Sequence, residues 1–215
     1  ALYGVQTLRG IENFRISKFH LNEYPLFIQA LAITKMGAAV ANRKLELLTE
    51  EQADAILKAC KEVLEGKHHE QFPVDMIQGG AGTTTNMNAN EVIANRALEL
   101  MGHRRGEYQY CSPNDHVNRS QSTNDAYPTA IHIGLYYTHL KLVKHFGELI
   151  ASFRKKGKEF AHIIKMGRTQ LEDAVPMTLG QTFNGFASIL AQEVKNLDFA
   201  AQDFLTVNMG ATAIG

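Results

Sequence analysis

The 215-residue chain balances 22 Lys plus Arg against 22 Asp plus Glu and is 45% apolar, enough to bury a core as one or two domains. Zero formal net charge, with no basic run longer than Arg154 to Lys158, provides no field for phosphate backbones or anionic lipid, so neither nucleic acid nor a membrane surface is an expected partner. The most apolar stretch, Leu26 to Ala41, is broken by Gln29 and Lys35 and is too short to span a bilayer; the start lacks a signal-peptide layout, and Cys60 and Cys111 cannot build a disulfide framework, so a reducing cytoplasm is expected.

In chain order, Pro25 opens an apolar helix reaching about Leu48, since proline is tolerated in a first helical turn. Thr49 with Gln52 forms a capping box for a second, amphipathic helix ending near Gly66. Asn88 with Glu91 does similar work for a third, stopped by Gly102. The Gly, Pro, Asn and Ser content of about 67–86 and about 103–122 marks loops. From about Asn124 to about Ile163, one helix of roughly 55–60 Å carries two stripes: Ile133, Tyr136, Leu140, Val143, and Leu142, Phe146, Leu149, Phe153. Two stripes imply burial on two sides. A last helix from about Pro176 to about Asn208, roughly 45–50 Å long, presents Leu179, Phe183, Phe186, Leu190, Val194, Leu197, Ala201 and Phe204 on one stripe. No run alternates as a half-buried strand would. The chain therefore reads as all-α: an N-terminal helical domain, 1–122, and the start of a central long-helix bundle, 123–215, of a kind shared between subunits.

Three segments at helix starts are dense in neutral hydrogen-bonding side chains. The first, 79–91, reads Gly-Gly-Ala-Gly-Thr-Thr-Thr-Asn-Met-Asn-Ala-Asn-Glu. It fails both glycine-rich nucleotide fingerprints, because no Lys follows Gly82 and Thr85 stands where a third glycine is required. Hydroxyls and amides leading into a helix N-terminus suit a carboxylate, which gains from neutral donors and from the helix dipole. Ordinary capping is the alternative. The second segment, Pro113 to Asp125, opens the longest helix and is polar or turn-forming at every position but Val117. The third, Gly167 to Pro176, opens the other long helix. Repetition of one donor-rich chemistry shifts the balance toward anion binding.

These segments resemble the first blocks of the fumarase/aspartase superfamily. They read Ala-Gly-Thr-x-x-Asn-Met-Asn-x-Asn-Glu from Ala81, Asn-x-x-Val-Asn-x-Ser-Gln-Ser-Thr-Asn-Asp from Asn114, and Gly-Arg-Thr-Gln-Leu-x-Asp-Ala-Val-Pro-Met-Thr-Leu-Gly-Gln from Gly167. The opening Ala1 to Thr7 and the final Asn208 to Gly215 are similar to that family as well, so the resemblance covers essentially the whole chain. Ala81, Thr123 and Gln170 stand where fumarases typically carry Ser, a second Ser and His, and resemble the aspartase branch.

The resemblance implies a homotetramer around a central helix bundle, with active sites assembled from three chains. It implies an anti elimination of ammonia from L-aspartate to give fumarate through a doubly charged aci-carboxylate. By the match, Thr83, Ser122, Thr123 and Asn124 hold the carboxylate that becomes the aci form, and Thr169 and Gln170 from another subunit hold the far end, with Thr123 and Thr169 as the catalytic members. None of these side chains is a base near neutral pH. The implied base is a Ser on a Gly-Ser-Ser loop beyond Gly215, followed by Lys and Asn ligands. The chain is therefore expected to be an N-terminal portion that is inactive by itself. No cofactor is implied, and a divalent cation enters only as an activator. The alternative enzyme is fumarate hydratase, which shares the aci-carboxylate. The alternative class is a non-catalytic scaffold, since members of the superfamily serve as structural lens proteins.

The remaining candidates are ordinary. His132 and His139 share a helix face two turns apart, about 10 Å, too far for one metal ion, so no metal site is expected. His116 borders a secondary carboxylate site in the superfamily; a loop histidine making local hydrogen bonds is the simpler reading. His68-His69-Glu70 lacks zinc-protease spacing, and no base accompanies either cysteine.

Overall fold

Residues 1–214 are described by the computed structural model, and they are all-α apart from one antiparallel hairpin. They form two compact units: Ala1–Leu135 together with the segment from Thr206 onward, and Tyr136–Leu205. The expected boundary at 122/123 marks the start of a long helix, and the units part within that helix.

The first unit is built on α1 (Val5–Asn13), α2 (Pro25–Lys44), α3 (Glu50–Leu64) and α4 (Thr83–Leu100). Pro25 occupies the first turn of α2 as expected, but the helix ends at Lys44, because Glu46 turns left-handed (φ 56°) and Leu47 N–H folds back to the Asn42 carbonyl. The Thr49–Gln52 capping box opens α3, with both reciprocal bonds at 3.2 Å. Ile28 and Leu31 of α2, Ile56, Cys60 and Val63 of α3, and Val92, Ile93 and Leu98 of α4 meet in one core with Phe72, Val74 and Val117. Fully burying side chains of this size contributes roughly 1.5–3 kcal/mol each.

The expected box at Asn88 and Glu91 is not a helix start. α4 begins five residues earlier, after Gly82 in the left-handed region (φ 84°), and Asn88 is buried inside it, donating to the Gln71 carbonyl at 2.9 Å. Glu91 caps a different helix. Its carboxylate accepts from the N–H groups of Gly4, Gln6 and Thr7 and from Thr7 Oγ1, at 2.6–3.0 Å, so the free donors at the start of α1 are satisfied from α4. The loop expected over 103–122 contains a π-helical turn at Pro113–Val117, started by Ser112 Oγ.

In the second unit, α5 (Thr123–Glu159, whose first residues belong to the first unit) is followed by β1 (Ile164–Thr169), β2 (Glu172–Thr178) and α6 (Leu179–Ala201). At 37 residues α5 is about 55 Å long, as expected. α6, at 23 residues, is about 35 Å, shorter than expected at both ends. Pro176 is not in its first turn: it lies in β2 opposite Met166, and Thr178 with Gln181 makes the capping box. The strands show no apolar alternation because both faces of the hairpin are largely exposed, so nothing selects a period of two. Phe153 of α5 and Phe160, just past its end, pack on Phe183 at ring separations of 5.9 and 5.5 Å, and Phe153 meets Phe186 at 5.7 Å. Gly180 permits this approach, since a side chain there would strike the Gly157 carbonyl and Ala161. His139 bonds Asp198 at 2.9 Å, joining α5 to α6.

Candidate functional site

The first two polar segments come together in the first unit. Gly82 has its Cα against the Tyr127 ring, where no side chain fits, and this sets the first turn of α4 beside that of α5. Thr83 is the first residue of α4 and is exposed. Ser122 and Thr123 are half-buried and Asn124 is exposed at the start of α5. Ser122 Oγ accepts from Asn124 N–H at 3.2 Å, and the Asp125 carboxylate accepts from Ser122 N–H at 2.7 Å and from Thr212 Oγ1 at 2.7 Å. Hydroxyls and an amide thus stand at two neighbouring helix N-termini, where the acidic side chain, Asp125, is buried and held by Ser122 N–H and Thr212 Oγ1, a setting that suits a carboxylate ligand.

Sequence reasoning missed what lies behind these donors. Lys35 of α2 is fully buried, and its ammonium donates to Asn86 Oδ1 (2.8 Å), Asn118 Oδ1 (2.9 Å) and Gln121 Oε1 (3.0 Å). Asn86 Nδ2 in turn donates to Thr123 Oγ1 and to Asn118 Oδ1, both at 3.1 Å. Asn118 Nδ2 reaches the Gln121 carbonyl at 2.9 Å, and Gln121 Nε2 reaches the carbonyls of Val117 and Arg119 at 3.0 Å. Burial pushes the Lys35 ammonium down to about 7. The available signal was the charge interrupting the apolar run of α2, since a lysine is almost never fully buried without partners.

The third segment lies in the second unit. Thr169 ends β1, and Gln170 begins the two-residue turn in the left-handed region (φ 54°), followed by Leu171 at 89% exposed. Both candidates are solvent-facing on a hairpin tip, not on a helix N-terminus.

His116 makes a local bond: its Nδ1 accepts from Ser112 N–H at 2.7 Å, and burial lowers its pKa. The thiols of Cys60 and Cys111 are buried, and that burial pushes both up to about 12, far from thiolate reactivity at neutral pH. Among the described residues no helix is long and apolar enough to cross a membrane, and no group of three or more His, Cys, Asp or Glu is placed to hold a metal ion.

A protein-family model described as Lyase matches residues 1–215. An aspartate ammonia-lyase of Pseudomonas canavaninivorans is 57% identical over 216 residues, covering 100% of this chain and 46% of that protein. The crystal structure of a fumarate lyase:delta crystallin from Brucella melitensis superposes with a TM-score of 0.94 at 52% identity, over 98% of this chain and 49% of that one. A class II fumarase from Schistosoma mansoni gives a TM-score of 0.88 at 38% identity, over 100% of this chain and 45% of that one. The chain spans about half the length of the relatives it matches.

Proposed function

The chain belongs to the lyase family whose model spans it, and from that membership we propose that its residues serve in an aspartate ammonia-lyase, the reversible anti elimination of ammonia from L-aspartate to give fumarate. In this reaction a base removes the proton from the carbon beside the distal carboxylate, and the electron pair moves into that carboxylate to give a dianionic aci form. The pair returns to form the double bond as the carbon–nitrogen bond breaks and ammonia leaves. The expensive species is the extra negative charge. Thr83, Ser122, Thr123 and Asn124 hold the carboxylate that takes it, and Thr169 and Gln170 from a neighbouring subunit hold the far end. The base is a serine on a segment outside this sequence. The working assembly is a cytoplasmic homotetramer whose sites draw on three subunits. The elimination uses side chains, with a divalent cation entering only as an activator.

The observation that carries this reading is the juxtaposition of the first turns of α4 and α5, which presents hydroxyl and amide donors at two positive helix ends. Preorganised donors of this kind are worth about 10²- to 10³-fold in rate when one is removed. A protein of the relatives' full length carrying these residues is expected to release ammonia from L-aspartate and to hydrate fumarate negligibly. Malate formation outpacing ammonia release in one preparation would replace this reading with fumarate hydratase. Thr123→Val and Asn124→Ala should each lower kcat by about two orders of magnitude with a smaller effect on KM, because the interaction lost is strongest in the transition state.

A further inference from the structure

Lys35 stands behind the site and touches none of the surface donors except through others. An ammonium has three N–H donors and no acceptor, so each amide that meets it must present oxygen. The three partners of Lys35 do so, at 2.8–3.0 Å. For Asn86 this settles the orientation of the amide: with Oδ1 on the lysine, Nδ2 points the other way and donates to Thr123 Oγ1. A hydroxyl that accepts at one lone pair keeps its single proton for another partner. The Thr123 proton is therefore directed away from Asn86. The titratable neighbour facing Lys35 from α3 is Cys60, whose buried thiol stays neutral. A neutral amine would bring two N–H donors to three oxygens and leave one amide free to turn.

We propose that Lys35 is a positioning residue for the elimination: by fixing the polarity of the Asn86 amide it makes Thr123 an obligatory hydrogen-bond donor to the substrate carboxylate. The inference rests on the reading of Thr123 given above, and goes beyond it by assigning the cause of its donor state. Lys35 also ties the first polar segment, through Asn86, to the second, through Asn118 and Gln121, so one buried charge holds both in register. A cation at one end of a hydrogen-bond chain polarises every bond along it, which makes the Thr123 hydroxyl a stronger donor as charge develops on the substrate.

Asn86→Asp is the discriminating variant. It is isosteric and keeps an oxygen on Lys35, but presents a second oxygen, not an N–H, to Thr123 Oγ1 and to Asn118 Oδ1. The hydroxyl must then donate to the aspartate and turn its lone pairs toward the substrate. In the full-length protein we expect Asn86→Asp to lower kcat by about 100-fold with KM changed less, at an unchanged melting temperature or a higher one. Adding Thr123→Val to it should cost less than about 3-fold further, although Thr123→Val alone costs about 100-fold. Lys35→Met, which removes the donors at similar volume, should show the same loss of coupling to Thr123. If Thr123→Val is harmful but Asn86→Asp retains full activity, or if the two effects multiply, the relay is wrong and the site reading stands. If Thr123→Val is itself without effect, both are wrong.

Discussion

The region around α4 and the region of α5 and α6 beyond Tyr136 bury opposite things. Around α4 polar groups are taken out of water and given partners: Lys35, Asn86, Asn95, Gln121 and Glu91 are all buried and hydrogen-bonded. In the second unit apolar groups are left in water, with Phe199 at 83% exposed and Ile189 at 63%. The first arrangement is costly wherever it is incomplete, as at the buried and unpartnered Oδ1 atoms of Asn88, Asn90 and Asp125, because an unpartnered buried amide or charge loses its hydration without return. It therefore holds one geometry, as a site needs. The second costs little in local structure and leaves adhesive surface, as an assembly needs.

The contrast is sharpest in stability. Leu98, fully buried in the first core, should cost about 3 kcal/mol when cut to alanine, whereas Phe199→Ala should fall within about 0.5 kcal/mol of the parent. Urea unfolding of the 215-residue chain measures both. Equal costs would mean that the two regions do not differ as described. A smaller effect belongs to the ion group between α3 and α4, where Arg96 grips Glu62 through two bonds of 2.6 and 2.9 Å. That grip holds the Glu62 carboxyl down to about 2, against desolvation that pushes it up. Since the folded pKa lies below the unfolded one, the contribution is present above about pH 4.5 and is lost as pH falls toward 2. Glu62→Gln should therefore cost about 1–2 kcal/mol at pH 7 and nothing measurable near pH 2. A difference independent of pH would assign the effect to packing.

Helix periodicity made α2, α3 and α5 legible, and the donor-rich wording of 79–91 and 113–125 marked two segments that the fold brings together, while the assignment of Thr83, Ser122, Thr123 and Asn124 to the substrate rests on the family resemblance. What was not legible has two physical causes. Glu91 was read as a local cap because side chain-to-backbone bonds look local in sequence; its partners are 84–87 residues away. The hairpin was missed because an exposed two-stranded ribbon has no buried face to impose alternation, and because Pro176 was read as the start of the last helix, which the Thr178–Gln181 box in fact caps. Lys35 was visible as an interruption, yet its role depends on three amides 51–86 residues away.

The gentlest test of the comparison should leave folding untouched and change only association. Leu135, Leu142 and Leu149 are each 42–44% exposed along α5. A seven-residue step drifts only about 20° around a helix, so the three form one stripe, and Leu149 lies one turn before Phe153 on that same face. Within the second unit nothing covers Leu142 and Leu149 to core-like depth, and α6 adds Phe186 at 47% exposed. The 215-residue chain should therefore elute as an associated species. Lysine is nearly as good a helix former as leucine and extends its charge into water, so Leu142→Lys with Leu149→Lys should keep the far-ultraviolet helix signal and melting temperature. The same substitutions place two like charges wherever a second copy would dock, and should move the chain toward the monomer on sizing at low salt. A parent chain that is already monomeric, or a variant that associates as before, would show that the exposed leucines are not the contact surface.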